Sequence, residues 1–79
     1  MDREIVLSPG DILVHYEINE IGLLLRRFDV LGDSAWPLWA WDIMWVGKDA
    51  QDYGRRQAFT EEGLTGLIIS GVFVHHKSI

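Results

Sequence analysis

Residues 36–46 read Trp-Pro-Leu-Trp-Ala-Trp-Asp-Ile-Met-Trp-Val and hold all four tryptophans of the chain. Pro37 would suit the first turn of a helix, with Ser34 or Ala35 before it. The pattern beyond it argues otherwise. Trp39, Trp41, Ile43 and Trp45 recur at every second position, which is the period of a β-strand. The segment is therefore expected to be a strand, with these four side chains on one face and Leu38, Ala40, Asp42, Met44 and Val46 on the other.

A strand from Trp39 to Trp45 is about 20 Å long, at roughly 3.3 Å per residue. That is as long as the interior of a small barrel. One reading places the tryptophan face in the core, with an end ring at the rim. Each indole N–H then needs an acceptor or a path to water. The competing reading leaves part of the aromatic face open to a partner. If the tryptophans point inward, Leu38, Met44 and Val46 point outward around Asp42. Such a patch marks an oligomer interface, or it is the surface on which a helix packs. The helix is the favoured cover, and Asp42 is placed at the patch edge, to pair with an arginine or stay in water.

Turn chemistry divides the rest of the chain. Ser8-Pro9-Gly10-Asp11 is a turn, Asn19-Glu20 separates two apolar runs, and Leu31 to Ser34 forms another connection. Gly47 to Gln57 is polar throughout and reads as the longest loop. Strands are expected at Ile12–Tyr16, Ile21–Phe28, the tryptophan segment and Val72–His76, with a weaker one at Arg3–Leu7. Gly22 marks a bulge or a close backbone approach.

One helix is expected near residues 61–70. Thr60 is its N-cap, Glu61 and Glu62 complement its positive end, and Gly71 ends it. Leu64, Leu67 and Ile68 form its apolar face. Gly63 and Gly66 weaken it by roughly 1 kcal/mol each, and Gly66 is expected to let it approach a sheet.

Seventy-nine residues make one domain, 1–79. The fold class is mainly β: a small SH3-like, partly open barrel of about five strands with one short helix. There is no cysteine, which removes disulfides and thiolate metal sites and fits a cytoplasmic location. No secretion signal and no membrane-spanning run are read from the sequence. Seven basic residues face twelve acidic ones, a net charge of −5, which counts against nucleic acid as a partner.

The run Pro9-Gly10-Asp11-Ile12-Leu13-Val14-His15, followed by Ile21-Gly22-Leu23-Leu24, resembles the opening of the Tudor-like RNA-polymerase-interacting domain of CarD-type regulators and transcription-repair coupling factor. There a turn launches a strand ending in His, and a second strand begins at Ile-Gly. This chain departs from that pattern at Glu20, where the family usually has glycine, and at Tyr16, where it has proline. Over most of its length the chain is similar to short uncharacterised proteins of marine phage and environmental origin. The shared features are Gly10-Asp11, Ile21-Gly22, the strand Trp39 to Trp45, and the helix from Thr60-Glu61-Glu62 to Gly71. That resemblance implies an SH3-like barrel and no particular activity.

Chemistry-bearing patterns are sparse. No G-x-S-x-G, P-loop or G-x-G-x-x-G occurs, so no catalytic residue is assigned and the chain is read as non-enzymatic. His75 and His76 are adjacent on a strand and point to opposite faces. His15 could approach one of them, but no metal-ligand spacing is present, and no metal or cofactor is expected. Arg26 and Arg27 are expected to split between faces. Arg55 and Arg56, beside Tyr53, suit an acidic or phosphate contact, against the alternative of pairing with Asp49, Asp52 or Glu61.

The expected function is a small protein–protein interaction module. Its candidate contact residues are Trp39, Trp41, Trp45, Tyr16, Tyr53, Arg55 and Arg56. Self-assembly through Leu38, Met44 and Val46 is the alternative, and a nucleic-acid-binding barrel a remote one.

Overall fold

The computed structural model describes residues 5–32, 35–47 and 54–78. The elements run β1 (Ile12–His15), β2 (Glu20–Asp29), β3 (Trp39–Val46), β4 (Arg55–Thr60), α1 (Glu61–Ile69) and β5 (Val74–His76). All strand pairs are antiparallel, and the sheet order is β4-β3-β2-β1-β5. The fold is mainly β, with five strands and one short helix as expected, and the sheet is open, with β4 and β5 as its edges.

Two strand assignments need correction. Ile5–Leu7 lies in no strand, and Arg3 and Glu4 fall outside the described residues. The fifth strand is β4, which includes Arg55, Arg56 and Gln57 from the stretch expected to be loop. An edge strand needs little apolar content when its long polar side chains find cross-strand partners.

β2 explains how one sheet serves two faces differently. Its first half lies between β1 and β3, whereas Arg26–Asp29 pairs with β3 alone. A register shift between Leu24 and Arg26 inserts one extra residue, which bends a strand and changes the phase of its side chains. Glu20, Gly22 and Leu24 share the inner face before the shift; Arg27 and Asp29 take it up afterwards. Arg26 is thereby sent to the outer face, and the arginine pair splits as expected.

The inner face is the tryptophan face. Trp41, Ile43, Trp45, Leu13, Leu24, Leu64 and Phe73 form the buried core, with Leu7, Phe59, Leu67 and Ile68 packed against it. Gly22 makes the close approach expected of it: a Cβ there would lie 2.9 Å from Trp45 Cζ3 and 3.0 Å from Ile43 Cγ2. The six-membered ring of Trp45 thus rests on bare backbone.

Helix α1 is capped as its sequence requires. Thr60 Oγ1 accepts from Gly63 N at 3.1 Å. At the other end Gly71 has φ of 87°, and the bonds Gly71 N to Ile68 O (3.1 Å) and Val72 N to Leu67 O (3.0 Å) close a Schellman motif. Leu64 is buried, and Leu67 and Ile68 lean on the core. Gly66 has open space around it, so it does not bring the helix close to the sheet.

Candidate functional site: the outer face of the sheet and its arginine border

The helix settles which side of residues 38–46 is free. Leu64 joins the cluster of Trp41, Ile43 and Trp45, so α1 lies on the tryptophan face. The expectation that it covers Leu38, Met44 and Val46 is corrected. The physical reason is its own apolar side: Leu64, Leu67 and Ile68 complete a core that the inner face leaves open at the end near Trp41 and Phe59.

On the outer face, strand register builds two apolar rows. Val74, Val14, Ile21 and Val46 are successive cross-strand neighbours, and so are Ile12, Leu23 and Met44. Val14, Leu23, Met44 and Val46 are half-buried, whereas Ile12, Ile21 and Val74 are exposed, Ile21 by 51%. Leu38 is exposed just ahead of β3.

A charged row borders these two. Arg26, Asp42 and Ala58 are cross-strand neighbours, and Arg56 stands opposite Met44. Asp42 accepts from Arg56 Nη2 at 2.7 Å, with Arg26 Nε at 3.7 Å. The hydrogen bond from Arg56 holds the Asp42 carboxyl below the usual carboxylate range, against the opposing effect of its partial burial, and Arg26 adds to the lowering. Two arginines face one carboxylate, so the described residues of the border carry net positive charge on a chain whose total is −5.

The end of the sheet at the β2–β3 connection is a second apolar surface. Asp29 Oδ1 accepts from Leu31 N (3.1 Å) and Leu38 N (2.8 Å), and Val30 N donates to Leu38 O at 2.8 Å. This neck presents Val30, Leu31 and Trp36, the last 83% exposed. Below it Arg27 lies over the Trp39 ring at 4.0 Å and forks onto Glu61 at 3.0 and 2.8 Å. Glu61 Oε1 also accepts from Trp41 Nε1 at 3.0 Å. The hydrogen bond from Arg27 holds the Glu61 carboxyl below its ordinary range; burial opposes this and Trp41 reinforces it.

The expected contact residues do not gather at one place. Trp41 and Trp45 are 1% and 2% exposed and present no ring to a partner; Trp39, at 37%, is the rim tryptophan. Trp45 Nε1 is buried without a hydrogen-bond partner among the described residues, an arrangement that costs about 1–3 kcal/mol. Tyr16 is exposed in the β1–β2 turn, at the end of β2 opposite to Trp39. Arg55 donates to Glu20 Oε2 at 2.7 Å, and Arg56 is held by Asp42, so both arginines cross-link the sheet. Tyr53, like the proposed partners Asp49 and Asp52, lies outside the described residues.

A buried carboxylate went unrecognised in the sequence. Asp11 is 0% exposed and accepts from Ser8 N (3.0 Å), Ser78 N (2.8 Å) and His75 Nε2 (2.7 Å). Burial pushes its pKa up, but the bonds from Ser78, His75 and Ser8, with Lys77 nearby, bring it below the ordinary value. Its partners are up to 67 residues away, so only the turn position of Asp11 is visible locally.

No protein-family model matches the chain, and no curated protein or solved structure matches it. No helix among the described residues is long and apolar enough to cross a membrane.

Proposed function

We propose that the chain is a small non-enzymatic protein-interaction module that docks its partner on the outer face of the sheet. The observation that carries this reading is the pair of apolar rows across β5, β1, β2 and β3, left on the side away from α1. Apolar side chains in such rows gain about 25 cal/mol for each Å² removed from water. Polar rims orient a complex more than they hold it together. The bordering pair Arg26 and Arg56 fits a partner whose apolar surface is flanked by acid. The resemblance over Pro9 to Gly22 makes RNA polymerase the first partner to test.

The test compares wild type with Ile21→Glu. Ile21 is half exposed, so the variant keeps its urea midpoint, while its carboxylate opposes an acid-flanked partner in the middle of the face. Immobilised wild type is expected to retain RNA polymerase, and the variant to lose it. Equal retention by both defeats the outer-face reading, and retention by neither removes this partner.

Self-assembly is the second reading, favoured by Leu38, Met44 and Val46 lying on or beside the same uncovered face. It predicts a molar mass in multiples of 9.1 kDa that Ile21→Glu returns to the monomer. A monomer at every concentration removes it.

A further inference from the structure

A groove of about 460 Å³ opens between the N-terminal segment, the end of α1 and β5. Its walls are Ile5 and Val6 on one side and Ile68, Ile69 and Phe73 on the other, with Val74, His75 and Lys77 completing it. The volume falls within the roughly 300–1,000 Å³ usual for small-ligand sites, which pair an apolar lining with a few placed polar groups.

The polar groups here are of one kind. None of the described lining residues is acidic. Asp11 stands behind His75, and its oxygens are taken by two backbone N–H groups and the imidazole. An ionised carboxylate only accepts, so His75 Nε2 carries the proton and the ring is held in one orientation. Lys77 is the permanent cation among the described lining residues. Its ammonium donates to Val6 O at 3.2 Å and to Ser8 Oγ at 3.3 Å, which leaves one of three donors. Asp11 Oδ2 is 3.9 Å away, an ion pair without a hydrogen bond. A half-exposed cation with a spare donor at the mouth of an apolar groove complements an anionic head joined to an apolar tail.

The geometry points to a binding site for a small amphipathic carboxylate, an alkyl or aryl acid, with its apolar body between Ile5, Val6, Ile68 and Ile69 and its carboxylate on Lys77. The site is distinct from the outer-face one, since it uses neither Met44 nor Ile21, although the two meet at Val74 on the edge strand β5. Burial of the tail supplies affinity, and a charge-assisted bond from Lys77 supplies selection for the anion.

Amide NMR of the full chain, titrated with octanoate and separately with 1-octanol, tests this. Octanoate is expected to give saturable shifts at Ile68, Ile69 and Lys77, at roughly tenfold lower concentration than octanol, the ratio that one charge-assisted hydrogen bond supplies. Lys77→Met, which keeps an unbranched apolar stem, should remove that ratio and leave octanol binding in place. Ile69→Glu, at an exposed helix position, should weaken both ligands. The proposal is overturned if octanoate gives no saturable shift, or if its shifts centre on Ile21, Leu23 and Met44. It is also overturned if Lys77→Met binds octanoate as wild type does.

Discussion

Replacing Gly22 by alanine tests how the sheet packs on its own tryptophans. The added methyl would lie 2.9 Å from Trp45 Cζ3 and 3.0 Å from both Trp45 Cε3 and Ile43 Cγ2. All three belong to buried side chains. Overpacking of this kind costs about 1–3 kcal/mol. Alanine restricts the unfolded chain and returns about 0.4–1 kcal/mol. The net expectation is a loss of about 1.5 kcal/mol, or roughly 6–12 °C in Tm for a domain of this size. Urea unfolding followed by circular dichroism measures it. In a Trp45→Phe background the two indole carbons are gone, and the same change should cost less than about 0.5 kcal/mol. Gly66→Ala is the contrasting control: nothing lies within 4 Å of that position, so helix propensity alone acts and stability rises by about 1 kcal/mol. Equal cost of Gly22→Ala in both backgrounds, or a gain in stability, would refute the packing of Trp45 on Gly22.

Other perturbations probe the cross-links. Asp11→Ala strands His75 and two backbone N–H groups and should cost about 3 kcal/mol, read as a urea midpoint. The folded pKa values of Asp11, Asp42 and Glu61 all lie below their ordinary values. Their contribution is thus complete above about pH 4.5 and is lost as pH falls below it through the lowered folded values; thermal melts between pH 2 and 6 should decline on that side, less steeply in Asp11→Ala. Thr60→Ala removes the N-cap bond and should cost about 1 kcal/mol, with the loss of helical signal at 222 nm tracking the loss of stability.

The main strands were legible because their patterns are local. Alternation in Trp39–Trp45 marks a strand and its faces, and Thr60 with Gly71 marks both ends of α1. β4 was hidden because Arg55 and Arg56 read as loop until Glu20 and Asp42, on other strands, are seen to receive them. The outer face was only half visible. Met44 and Val46 stand out within their own strand, but Val14, Ile21 and Val74 join them through register, which no single segment encodes. Ile12-Leu13-Val14 is apolar on both sides, a pattern that gives no inward direction. The side on which α1 packs depends on where the inner core is incomplete, and that is a property of the assembled sheet. Asp11 and His75 were separately visible as a turn residue and a strand residue, 64 positions apart.

The tryptophan face is closed, whereas Ile12, Ile21 and Val74 on the opposite face are exposed. Methyl NMR of dilute protein with a soluble paramagnetic gadolinium chelate measures this directly. Strong relaxation is predicted at the methyls of Ile12, Ile21 and Val74, with protection at Leu13, Leu24, Ile43 and Leu64. Protection of Ile12, Ile21 and Val74 equal to that of Ile43, in protein shown to be monomeric, would contradict it.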